Sequence, residues 1–203
     1  MRKRFSIATW FIALMTMFLV CGSAQAQEDL NKALHDAAWQ GNAVSINTFL
    51  QRGANVNAVD NDGYTPLMTA VFSQDTVPLW DGCCGSVTLQ AYPSMNVKNK
   101  SGETALMIAA GYKGSSVSCK AIRPVQLLLD AGADVNLRDN RGETALQHAI
   151  TNAHGEAIEA LLAKRADTKG LSPEDLKDMT LFLEEARFRR SALQKSEGQK
   201  QNK

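Results

Sequence analysis

The stretch "GETALMIAA" at 102–110 returns forty residues later as "GETALQHAI" at 142–150, and "GYTPLMTAV" at 63–71 sits in the same frame. Each begins with a glycine, passes a threonine two residues on, and continues into alanines and leucines. A threonine there is placed to cap the free N–H groups of a helix that starts beside it. Pro66 fills the first helical position, where its missing N–H costs nothing. Small residues on one face let such helices stack closely. The pattern therefore predicts a short helix that recurs and packs against copies of itself.

Each copy leads to a second refrain: "FLQRGANVN" at 49–57, "LLLDAGADVN" at 127–136 and "LLAKRAD" at 161–167. Gly53 and Gly132 are placed to end a second helix, as residues that tolerate positive φ. Asn-Asp-Gly at 61–63 and Asn-Arg-Gly at 140–142 supply tight turns between units. "NKALHDAAWQGN" at 31–42 is a weaker first copy. One unit cannot bury its apolar face alone, whereas four stacked units can.

These two refrains, in this order, resemble the ankyrin repeat, over roughly residues 28–169. The resemblance implies an all-α fold: an ankyrin-repeat solenoid of stacked helix-turn-helix units with β-turn fingers. The units fall at about 27–59, 60–98, 99–138 and 139–170. Ser172-Pro173-Glu174-Asp175 starts another helix with an N-cap, an N1 proline and early acids, expected over 171–193 as a C-terminal cap. Its apolar positions are Leu176, Met179, Leu183 and Phe188, and the polar tail 194–203 is expected to be disordered. The departures lie in the spacing. Gly63 to Gly102 is 39 residues and Gly102 to Gly142 is 40, against an ankyrin period of about 33. The extra residues fall within "SQDTVPLWDGCCGS" at 73–86 and "YKGSSVSCKAIR" at 112–123, between the first and second helix of their units.

Ahead of the repeats, Arg2, Lys3 and Arg4 form a basic start, an apolar run extends from Ile7 to about Val20, and Ala24-Gln25-Ala26 follows. That order predicts a secretory signal peptide over 1–26, cleaved after Ala26, and so a periplasmic or secreted protein. The run is shorter than the ~20 residues a spanning helix needs, so no stable membrane insertion is expected after cleavage. Cleavage leaves 19 basic residues against 21 acidic ones and three cysteines, Cys83, Cys84 and Cys119. The near-neutral chain argues against a nucleic-acid partner, which would demand a concentrated basic surface.

Units that stack in register bring equivalent insertions side by side. In an oxidising compartment this favours a disulfide from Cys119 to Cys83 or Cys84, with one thiol left over. A redox or intermolecular role for these thiols stays open as the alternative, with a metal site the weakest reading: adjacent cysteines chelate one ion poorly and no C-x-x-C occurs. His35 and His154 fall on the two histidine positions of the ankyrin pattern, so the resemblance implies structural roles for both.

Neither G-x-S-x-G, H-E-x-x-H nor a phosphate-cradling glycine loop occurs, so no enzyme and no cofactor is expected. Ankyrin proteins usually bind other proteins through the turn tips and the exposed side of the first helix. Carried over, these positions are Trp39 and Gln40; Asn61, Asp62, Tyr64, Phe72 and Ser73; Lys100, Ser101, Glu103, Gly111 and Tyr112; and Asn140, Arg141, Glu143, Thr151 and Asn152. Trp39, Tyr64, Phe72 and Tyr112 share these slots although aromatics make up only 6% of the chain, and such residues dominate interface energetics; the alternative is that Trp39 and Phe72 pack beneath the insertion within 73–86. The expectation is a monomeric, non-enzymatic module that binds another protein. A redox-responsive envelope factor and a membrane-tethered scaffold with an uncleaved N-terminus stay as alternatives.

Overall fold

The computed structural model describes residues 25–72, 94–111 and 122–201. Helix α1 covers 25–40 and turns back at Gly41 into α2 (Ala43–Gln51), capped by Asn42, whose Oδ1 accepts from the Ser45 amide at 3.0 Å. The first helices of the following units are α3 (Pro66–Phe72), α4 (Ala105–Gly111) and α6 (Ala145–Thr151); α5 (Ile122–Asp130) and α7 (Gly155–Ala163) are second helices, and α8 (Pro173–Gln201) closes the array. Among the described residues there is no strand, only one isolated bridge between Arg138 and Thr144. This is the all-α solenoid that the refrains predict.

The caps fall where the sequence puts them. Thr65, Thr104 and Thr144 each accept, at 3.3–3.4 Å, from the amide three residues on. At Thr144 the Gln147 side chain answers by accepting from the Thr144 amide at 3.0 Å. Gly53 and Gly132 end α2 and α5 at φ +92° and +88°. Arg165 holds the same place after α7 at φ +64°, without glycine's freedom. His35 and His154 are structural, as expected: the His35 ring bonds Thr69 Oγ1 and the Ala58 carbonyl at 3.2 and 3.0 Å, and His154 Nδ1 reaches the Ala110 carbonyl at 2.9 Å.

Stacking is close because small residues face one another. The core runs through Leu34, Ile46, Leu67, Met68, Leu106, Met107, Leu128, Leu146, Ile158 and Leu161, all essentially buried. Asparagines stitch the units along one edge. Asn31, Asn57, Asn96 and Asn136 each accept, through Oδ1, from a backbone amide further along the chain at 2.7–3.0 Å.

Two expectations for the closing helix need correction. The segment 194–203 was expected to be disordered, yet α8 continues to Gln201, because the lysines, glutamate and glutamines of this stretch favour helix. The packed stripe is Met179, Phe182, Leu183 and Ala186, while Leu176 and Phe188 are exposed by 41% and 74%. Phe188 is nine positions past Met179, half a turn off that stripe. The helix is set very close: a methyl on Gly155 would run into the Phe182 carbonyl and come within 2.8 Å of Ala186 Cβ. Arg190 adds two bonds to Glu159, of 2.5 and 3.3 Å. The hydrogen bond from Arg190 holds the Glu159 carboxyl below its ordinary pKa, against the opposing effect of burial.

Candidate partner-binding face

Three turns present the first helices. Asp60, Asn99 and Asp139 each stand three residues before the glycine of their turn. Each accepts through Oδ1 from the amides two and four residues on, at 2.9–3.0 Å. Gly63, Gly102 and Gly142 hold φ near +80°. Neighbouring turns are joined through the backbone: the Lys100 amide donates to the Asp62 carbonyl at 3.1 Å and the Asn140 amide to Ser101 at 3.0 Å. The fit at Gly102 is tight, since an added Cβ would sit 2.6 Å from the Asn140 amide nitrogen. Sequence reasoning placed the turns but missed the acceptors, although an Asp or Asn three residues before glycine was there to be read.

Above these turns the first helices line an open cleft of about 350 Å³ bounded by Tyr64, Phe72, Glu103, Met107, Ile108, Gly111, His148 and Asn152. Phe72 links two more rings: Trp39 at a centroid distance of 6.1 Å, tilted by 30°, and Tyr64 at 6.3 Å, edge-on at 71°. Trp39 and Phe72 remain about half exposed, at 47% and 49%. Three of the four expected aromatics therefore meet on one face; the fourth, Tyr112, lies outside the described residues, as do Ser73 and the cysteines Cys83, Cys84 and Cys119 with their expected disulfide. Gln40, Asn61, Asp62, Lys100, Asn140 and Arg141 are exposed, whereas Glu103 and Glu143 are half-buried.

The carboxylates set the charge of this face. Burial, and then Glu103 with help from Asp60 and Asp62, pushes the Tyr64 phenol above its ordinary pKa, against the lowering effect of a hydrogen bond with Asn99. Glu103 accepts from Asn99 Nδ2 at 2.9 Å and has no cationic partner among the described residues. One unit on, the arrangement differs. Arg141 lies 2.8 Å from Glu143 and 3.4 Å from Asp139, and the buried His148 ring bonds Asp139 at 3.1 Å. Burial opposes ionisation of Asp139, but the Glu143 amide, His148 and the Arg141 amide outweigh it and hold its carboxyl below the ordinary value. Asp139, Glu143 and His148 bring ligand atoms within 4.8 Å of one another, a possible metal grouping. The group already carries its own cation in Arg141, and one Asp139 oxygen is committed to two amides. The role of His148 was not foreseen from the sequence.

Comparison with known proteins gives the same frame. A family model for ankyrin repeats in three copies matches residues 82–170, and a single ankyrin-repeat model matches 29–61. The chain is similar to ankyrin repeat domain-containing protein 63 of Homo sapiens, 37% identical over 84 residues, which is 39% of this chain and 21% of that protein. It is 32% identical over 136 residues to human Rabankyrin-5, covering 66% of this chain and 10% of the relative. Human ankyrin repeat and SOCS box protein 6 is 31% identical over 157 residues, 73% of this chain and 34% of the relative. The chain thus spans at most about a third of the length of these proteins. Among the described residues no helix is long and apolar enough to cross a membrane.

Proposed function

Because the chain belongs to the ankyrin-repeat family, we propose that it is a non-enzymatic module that binds another protein through its turn tips and the cleft above them. The observation that carries this reading is the half-exposed ring cluster Trp39–Phe72–Tyr64 beside an open cleft. Folding gains little by leaving such rings in water, whereas interfaces use them as anchors. The cleft-lining side chains come from the first helices and the turns that lead into them. Phe72→Ala should weaken partner binding by more than ~1 kcal/mol with little change in unfolding midpoint. A variant that binds equally well, or that unfolds, would make the ring cluster part of the core instead.

The cellular setting belongs to the same proposal. The start of the chain and its cysteines support export with cleavage after Ala26, in four stacked units with Cys119 bridged to Cys83 or Cys84. Intact mass should then begin at Gln27, and non-reducing peptide mapping should recover the cross-linked pair. Full-length protein in the membrane fraction, or three alkylatable thiols in the mature chain, would reject these points. A bridge of this kind, closing about 35 residues, is worth ~2–4 kcal/mol, so Cys119→Ser should lower stability by that order.

A further inference from the structure

Glu103 and Glu143 occupy equivalent positions in neighbouring units, each beginning the run E-T-A-L and each following a turn glycine. Their surroundings differ in one respect that matters. Glu143 pairs with Arg141 at 2.8 Å, whereas the residue equivalent to Arg141 is Ser101, so among the described residues the half-buried Glu103 receives only the Asn99 side-chain amide. Lys100, the nearest basic residue in sequence, is exposed at the turn tip and makes no ion pair with Glu103. Glu103 lines the same cleft as the rings of Tyr64 and Phe72. A carboxylate with no cation among the described residues, next to aromatic faces, matches the two features a guanidinium uses: a fork for an acid and a flat face for stacking.

We propose that this cleft receives an arginine side chain of the partner protein, its guanidinium paired with Glu103 and laid against Phe72 and Tyr64. The partner's arginine would supply at Glu103 what Arg141 supplies at Glu143. Asp60 and Asp62, which together with Glu103 act on the Tyr64 hydroxyl, keep the local field negative and so favour a cation over an acidic or neutral side chain. The inference rests on the protein-binding reading above and adds the chemistry of the anchor.

The test uses the intact protein and a defined probe, Nα-acetyl-arginine N-methylamide, titrated by NMR against its neutral isostere Nα-acetyl-citrulline N-methylamide. Saturable shifts are expected at Tyr64, Phe72 and Glu103, with citrulline weaker by about fivefold, the scale of one half-exposed ion pair and stacking contact. Glu103→Gln, which keeps an acceptor for Asn99, should weaken arginine by a similar factor, whereas Glu143→Gln should not. Ser101→Arg should block the probe by giving Glu103 an internal partner. Equal binding of the two probes, no effect of Glu103→Gln, or shifts confined to other surfaces would overturn the proposal. The two levels separate cleanly. A groove that cross-links its partner but ignores the arginine probe keeps the binding function and loses this anchor. A groove that cross-links nothing fails at the earlier reading.

Discussion

The units that begin at Asn99 and Asp139 share a scaffold and differ in what they do with it. Both turns close on an Asp or Asn oxygen that takes two backbone amides, both glycines hold φ near +80°, and both helices start on a threonine. On the groove side they diverge. The Asp139 unit presents Arg141, Glu143 and His148, joined to one another and to Asp139. The Asn99 unit presents Ser101, Glu103 and Ile108 at the equivalent places, and among the described residues its carboxylate has no cation. The scaffold shared by the two units therefore resides in other atoms than the groove-side contrast between them. Main-chain geometry and the turn acceptors hold the stack, which leaves the groove side chains to vary from unit to unit.

That separation can be broken first at the core, where the effect should be largest. Leu128 is fully buried beneath the stack, so Leu128→Ala should cost ~2–5 kcal/mol by chemical denaturation and leave a partner's affinity for the remaining folded protein unchanged.

The turn acceptors come next and sharpen the comparison between the two units. Asp139→Ala strands two amides and the His148 ring, whereas Asn99→Ala strands two amides and releases Glu103. We expect a loss of ~2–3 kcal/mol for Asp139→Ala and somewhat less for Asn99→Ala. Acid should separate them further. Because the folded-state pKa of Asp139 lies below its ordinary value, its contribution is complete above the usual carboxylate range. It is lost as pH falls through the folded value. The Asp139→Ala penalty should therefore shrink in acid, while the Asn99→Ala penalty should not follow that titration. Melting curves at neutral and acidic pH check both.

Smaller effects are expected from the backbone. Gly102→Ala combines positive φ with a clash against Asn140, while Gly53→Ala meets nothing within 4 Å and carries the conformational cost alone, roughly 1 kcal/mol. The smallest change is a gain. Arg165 stands where Gly53 and Gly132 end their helices, at φ +64°, so Arg165→Gly should stabilise the last unit by up to ~1 kcal/mol. A loss there would mean that the arginine side chain contributes more than its backbone costs.

How much of this was legible in the sequence follows from which atoms carry each feature. Thr65, Thr104 and Thr144, with the glycines after α2 and α5, act through local chain geometry, so their spacing alone located the helices. Trp39, Tyr64 and Phe72 were assigned to one face from their positions in the repeat, and they do meet there. Of the four apolar positions read on α8, Met179 and Leu183 pack while Leu176 and Phe188 do not, because that helix carries two apolar stripes, one through Met179 and Ala186 and one through Leu181 and Phe188. Only tertiary packing against Gly155 decides between them. The contrast between Glu103 and Glu143 escaped notice for a related reason. Both read as equivalent binding positions, and it is the placement of Arg141 that gives Glu143 a cation where, among the described residues, Glu103 has none.

The central claim, that the cleft face is where another protein binds, is tested most directly by site-specific photo-crosslinking in cells. A photoreactive residue would replace Asn152, which lines the cleft, or Gln40, which is exposed and follows Trp39 in the chain, and Asn47 on α2 would serve as the control on the outer row. The same discrete adduct is expected from Asn152 and Gln40, none from Asn47, and loss of the adduct when Phe72→Ala is added. Adducts from Asn47 alone, or adducts from Asn152 and Gln40 indifferent to Phe72→Ala, would contradict that claim.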